Sequence, residues 1–307
     1  MLSYLLAVLA AASNAASNVL QRQANRQEPP EVAMSARLVI DLLHRPVWLA
    51  GLVTVIASFL LDAAALSQGR LAAVQPVLVL ELPLTLVGAS RVFRSARMRL
   101  REWSAIAVMS AGLAGLIFFL DPSQAHHHGI RAATWIVGVA VTVGAIVLCV
   151  VGSSRGGPGR RPALLGLASG IGFGLTAAFM KNATGVLHQG PAAVFETWTT
   201  YAMAVSGLTA MFLMQNALQA GRLIAAQPGI TLADPGVAIL WGVLAFGERI
   251  RGGAYTAGAL VAGLALAMGV VVLSRSPLLH EDDRAPAGGG KRSPKREHDQ
   301  EPACEAS

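Results

Sequence analysis

Nine runs of mainly apolar residues, each close to a membrane's width in helical length, alternate along the chain with short polar segments rich in arginine. They lie at about 3–20, 47–67, 70–90, 103–120, 132–151, 163–180, 198–216, 223–246 and 254–273. Such lengths, with few charges inside, are what the hydrocarbon core demands of a spanning helix. The pattern predicts an all-α polytopic membrane protein of about nine transmembrane helices. The first run lacks a basic leader and no soluble sequence follows it, so it reads as a retained helix and not a signal peptide. Residues 31–44 carry Arg37, Asp41 and His44 over a stretch too short to span, which suits a helix at the interface. After Leu273 the chain turns charged and rich in Gly and Pro, the composition of a disordered tail.

The pattern repeats. GRLAAVQPVLVLELP at 69–83 returns as GRLIAAQPGITLADP at 221–235, an offset of 152, and over residues 65–83 ten of 19 pairs are identical. Chance in so Ala- and Leu-rich a chain gives roughly 2, so the duplication is real. Each half supplies four runs, and 132–151 stands between them without a counterpart. An odd helix there inverts the second half relative to the first. The expected architecture is a first repeat over 1–120, a linking helix at 132–151, a second repeat over 163–273, and a cytoplasmic tail at 274–307.

Charge sets an orientation. Of the 24 Lys and Arg residues, 19 fall in segments that are cytoplasmic if the N-terminus is outside, against 5 on the other side: Arg70, Arg131, Lys181, Arg249 and Arg251. The positive-inside rule then predicts an N-out, C-in protein of the plasma or inner membrane. A ten-span arrangement, with 31–44 crossing at a steep tilt and the N-terminus inside, is the other topology this pattern allows. A net charge of +7 would suit nucleic acid, but the basic residues sit in loops and the tail, as topology signals do. The expected surroundings are the lipid bilayer, with no nucleic-acid partner. With a mean hydropathy of +0.54 and only Cys149 and Cys304, the chain excludes a disulfide scaffold.

Only Asp62, Glu81 and Asp234 among 17 acids lie well inside apolar runs. A charge there costs on the order of 2.5–3.5 kcal/mol on insertion scales, so such residues usually face a cavity or a partner. Glu81 and Asp234 come one residue apart in repeat register, which places one carboxyl from each half near the midplane. Pro76 and Pro83 interrupt the first of these runs, and Pro228 and Pro235 the second. Each proline removes a helix hydrogen bond and frees a carbonyl, and carbonyls beside a carboxyl suit a cation or amine. Gln227, Thr231 and Asp234 share one helical stripe, Glu81 and Thr85 another, and Gln75 repeats as Gln227. Asn14, Ser17, Asn18 and Gln21 form a polar stripe that could line a cavity or bond neighbouring helices. Gly166, Gly170 and Gly174 predict a close helix contact, and Trp48, Trp103, Trp135 and Trp198 sit where interfacial anchors do. His126–His128 read as a solvated loop. No nucleophile elbow, Walker loop or HExxH pattern occurs, so no enzyme activity and no cofactor are expected.

The run HRPVWLAGLVTVIASFLLDAAALSQGRLAAVQPVLVLELPLTL, followed by REWSAIAVMSAGLAGL, resembles the drug/metabolite transporter (DMT) superfamily, in particular EamA-like proteins and the NIPA-like magnesium transporters. ADPGVAILWGVLAFGERI is similar to that superfamily's Pro-containing helix ending in Gly-Glu-Arg, here Gly247, Glu248 and Arg249. The first half has Arg94, Ser95, Ala96 and Arg97 at the corresponding place. The resemblance implies an inverted-repeat bundle with alternating access. The resulting expectation is a secondary transporter moving a small-molecule or cation solute through a midplane site built from Glu81, Asp234, Gln75, Gln227, Thr231, Asn14 and Asn18, with Pro76, Pro83, Pro228 and Pro235 as kinks. The alternatives are a NIPA-like divalent cation (Mg²⁺) transporter and a membrane assembly protein that transports nothing.

Overall fold

The computed structural model describes residues 1–25, 46–92, 98–123, 130–155, 159–220 and 223–276; the 31–44 segment, His126–His128 and the tail lie outside them. The described chain is helical: α1 (Leu2–Asn25), α2 (Pro46–Gln68), α3 (Leu71–Leu78), α4 (Glu81–Val92), α5 (Leu100–Leu120), α6 (Ala132–Ser154), α7 (Arg160–Gly185), α8 (Pro191–Glu196), α9 (Trp198–Gln219), α10 (Leu223–Leu244) and α11 (Ala254–Ser274). A single antiparallel bridge, Ser123 with Arg249, is the only extended pairing among the described residues.

Seven helical stretches are long and apolar enough to cross a membrane, beginning at Leu2, Leu49, Leu71, Leu100, Ala132, Arg160 and Ala254. Helices α9 and α10, 22 residues each, match them in length but are diluted by Gln215, Asn216, Gln227 and Asp234. Leu148, Leu208 and Leu264 stand about 70 % exposed on the outer faces of α6, α9 and α11. In water so much bare apolar surface would drive aggregation, whereas lipid covers it. The chain is therefore an all-α, multi-pass membrane protein.

Small residues set the packing. Helix α1 lies on α2, α7 on α9 and α10, α5 on α11, and α6 mainly on α7. A Cβ on Gly166, Gly170 or Gly174 would come within 2.4–2.7 Å of the carbonyl oxygens of Ala226, Gly229 and Asp234, so α7 and α10 touch backbone to backbone. The close contact expected of those glycines is present. Lipid tails are as apolar as leucine, so this intimacy, and not escape from water, holds the two helices together. Gly112 and Gly269 do the same for α5 and α11.

Two expectations need correction. Only the first Pro-bearing run is broken: α3 and α4 part at Val79–Leu80, between Pro76 and Pro83, whereas α10 runs unbroken through Pro228 and Pro235. At α10 the flanking close contact with α7 holds the helix in line. Trp135 is not a lipid-facing anchor. It is 7 % exposed, stacked 5.4 Å from Phe179 and within 5.1–5.3 Å of Trp241 and Trp198. Helix α6 turns it inward because Gly138, one turn on, leaves room for the Trp241 ring, whose Nε1 donates to Thr142 Oγ1 at 3.3 Å. Trp103 and Trp198 are about half exposed.

Candidate functional site

At the break in the third run, the amides of Val79 and Leu82 reach back three residues, to Pro76 and Val79. The carbonyls of Gln75 and Leu78 thereby lose their usual donors four residues on. On α10, Pro235 likewise has no N–H for the Thr231 carbonyl, and Pro228 none for that of Ile224. Backbone acceptors are thus available on both helices beside the midplane acids.

Glu81 opens α4 and is held from α1. Asn14 Nδ2 donates to its Oε2 at 2.6 Å and Asn18 Nδ2 to its Oε1 at 2.7 Å. Residues four apart share a helix face, which is why one stripe on α1 can grip both oxygens. The rest of that stripe does other work: Ser17 donates to the Gly51 carbonyl on α2 at 2.8 Å, and Gln21 donates to Ser17. The stripe is therefore part clamp and part interhelical glue.

Asp62 and Asp234 differ from Glu81. The Oδ1 atom of each is buried with no hydrogen-bond partner, as is Thr85 Oγ1, one turn along α4 from Glu81. Gln75, 2 % exposed, faces the Asp62 carboxyl. Gln227 donates to Thr231 at a long 3.4 Å, one turn before Asp234. Asp234 lies near enough to Asp62 and Glu81 to feel both as charges. Among the described residues none of the three acids has a basic partner; the ion pair found there is Arg251 with Asp121, 2.6 Å apart at the rim. No three His, Cys, Asp or Glu side chains among the described residues gather as a metal cage.

Sequence reasoning missed what Lys181 does and found Glu248 only as part of a resemblance. Past the end of α10 the chain makes a wide turn: Gly247 takes φ +64°, and the Glu248 N–H returns six residues to the Gly242 carbonyl at 2.8 Å. That turn throws the Glu248 carboxylate onto the start of α3, where Leu71 N–H donates to Oε1 at 2.7 Å and Ala72 N–H to Oε2 at 2.9 Å. A Cβ on Gly242 would lie 2.5 Å from Glu248 Oε2, so a larger residue there would have to displace the carboxylate from its amides. Lys181, near the end of α7, donates to the carbonyls of Leu66, at 2.6 Å, and Gly69. Burial pushes the Glu248 carboxyl above the usual carboxylate range, against the opposing pull of the Ala72 and Leu71 amides, Lys181 and Arg70. The sequence signal for both residues was a charge at the end of an apolar run, Lys181 just past 163–180 and Glu248 just past 223–246.

No protein-family model matches the chain, and no solved structure matches it. Over 262 residues it is 30 % identical to the uncharacterized protein Cgl0250/cg0304 of Corynebacterium glutamicum, an alignment covering 82 % of this chain and 88 % of that one. Agreement at this level along most of both chains makes the protein a member of the Cgl0250/cg0304 family.

Proposed function

We propose that the protein is a secondary transporter of the DMT type, moving a small solute by alternating access through an interior site made by Asp62, Glu81 and Asp234. The observation that carries this reading is the buried, unpartnered Oδ1 of both Asp62 and Asp234, to which no basic residue among the described ones is paired. Buried polar atoms are almost always satisfied, and ionisable residues inside a membrane mark solute or proton paths. Three acids with no counter-charge among the described residues call for protons or a cationic group. Gln75, Thr85, Gln227, Thr231 and the freed carbonyls add acceptors around them.

Several boundaries support two inverted repeats about a central helix. Helices α2 and α9 start at Pro46 and Trp198, and α3 and α10 at Leu71 and Leu223, each pair 152 residues apart. The packing of α1 on α2 recurs as α7 on α9, while α6 has no counterpart. Sites of repeat-built transporters lie where the halves meet, near the bilayer centre.

A second reading, transport of a divalent cation such as Mg²⁺, is favoured by the all-oxygen donor set, which suits a hard ion that keeps some of its waters. Thermal shifts of the purified protein with Mg²⁺, other divalent ions, amines, amino acids and cationic drugs separate the two, because a ligand of the folded state raises its stability. Stabilisation by an organic solute that depends on pH and is lost in Asp234→Asn supports the first reading. Saturable stabilisation by Mg²⁺ lost in Glu81→Gln supports the second. Normal flux of the stabilising solute in both variants would sink either.

A further inference from the structure

We propose that Lys181 and Glu248 form a latch that closes one mouth of the interior path, released when the transporter opens to that side. The inference rests on the transport reading above.

The latch grips a single corner. Residues 66–72 join α2 to α3 in the first half of the chain, and both gripping side chains come from the second half. At the end of α2, carbonyl groups point out of the helix with partial negative charge, and Lys181 Nζ donates to two of them, Leu66 and Gly69. At the start of α3, amide groups point out with partial positive charge, and the Glu248 carboxylate accepts from Leu71 and Ala72. One corner therefore presents two opposite helix ends, each met by the matching charge from across the molecule. Leu66, Leu71 and Ala72 are at most 1 % exposed and Glu248 is 5 %, so the Glu248 side of the joint is shut against water, while Lys181 is half-buried.

The link that carries Glu248 is stitched to the first half at a second place. Arg251 pairs with Asp121, its N–H donates to the Leu120 carbonyl at 3.1 Å, and Ser123 and Arg249 exchange backbone hydrogen bonds. The same end of the bundle thus holds the helix-end joint and this rim contact. Charged side chains matched to opposite helix ends suit a two-state element, because a partly satisfied polar joint is costly where water is excluded. Just below the corner lies Gln75, and beyond it the three acids, so parting the joint opens a way to them.

Labelling with a membrane-impermeant methanethiosulfonate tests this without knowledge of the solute. In the full chain lacking Cys149 and Cys304, Gln75→Cys reports the space under the latch and Thr85→Cys the deeper interior, each probed in right-side-out and everted vesicles. The expected result is slow Gln75→Cys labelling with the latch intact. Lys181→Ala or Glu248→Gln should raise it about tenfold or more from one face only, as loss of a charged hydrogen bond would. Lys181→Arg, which keeps charge and donors, should stay slow. Unchanged labelling in Lys181→Ala, or an equal rise from both faces, overturns the latch. If Thr85→Cys reacts from the opposite face while Gln75→Cys ignores both variants, the latch alone fails. If neither cysteine reacts from any face in any variant, the transport reading falls and takes the latch with it.

Discussion

The contrast between Glu81 and Asp234 is one of satisfaction. Glu81 has an amide donor on each oxygen, while Asp234 keeps one oxygen bare. Replacing Asn14 and Asn18 together by Ala should lower the melting temperature in detergent, with a loss of about 1–3 kcal/mol for an acid left unpaired. Asp234→Asn should leave the melting temperature level or raised, because it removes a buried acid with one oxygen unpartnered; the expected loss is in ligand response. Glu248 makes a third case. Its folded-state carboxyl titrates above the ordinary value because burial outweighs the Leu71 and Ala72 amides, Lys181 and Arg70. Its contribution to stability is therefore fully present below the ordinary glutamate range and lost as pH rises through the raised value. Melting temperatures followed from acid toward neutral pH should fall more steeply in the natural protein than in Glu248→Gln. The acids were legible from sequence because a charge inside an apolar run is conspicuous. The Asn14 and Asn18 clamp was half legible: their spacing put them on one face, but nothing in the spacing said that they face Glu81 while Ser17 turns to α2.

At the scale of elements, hydropathy located the long helices to within about five residues, because membrane thickness leaves little freedom in length, but it missed the short α8 and gave α3 and α4 as one run. What it could not supply was which proline breaks a helix. Pro76 and Pro83 flank the break between α3 and α4, yet Pro228 and Pro235 sit in an unbroken α10, whose backbone is braced against the glycines of α7. That bracing predicts a sharp asymmetry among glycines. Gly170→Leu would drive a side chain into the Gly229 and Ile230 carbonyls and should cost about 1–3 kcal/mol or prevent assembly. Gly144→Ala, with nothing near it on α6, should be neutral or slightly stabilising. Thermal unfolding of the two purified variants checks both. Trp135 was misread for a related reason. Position at the start of a run marks an anchor only if the helix face points to lipid, and facing is decided by neighbours far along the chain.

Over the whole molecule, the charge count and the repeat make one joint statement, that the five basic residues outside the positive set share a side. Arg70, Lys181, Arg249 and Arg251 do come together, around the corner at 66–72 and the rim at Asp121. A fluorescent protein fused after Ser307 should mature and fluoresce in cells, as a cytoplasmic C-terminus requires; a dark fusion that is active as a periplasmic or extracellular reporter would reverse the orientation. The aromatic cluster bears on the same end. Trp135, Trp198 and Trp241, three of the five tryptophans, crowd together with Phe179 and Phe246, and those two phenylalanines stand two residues before Lys181 and Glu248. Any shift of the two charged side chains must tug on coupled indole rings. The protein therefore carries its own optical gauge, and near-ultraviolet circular dichroism can report any movement at that end of the bundle with no label attached.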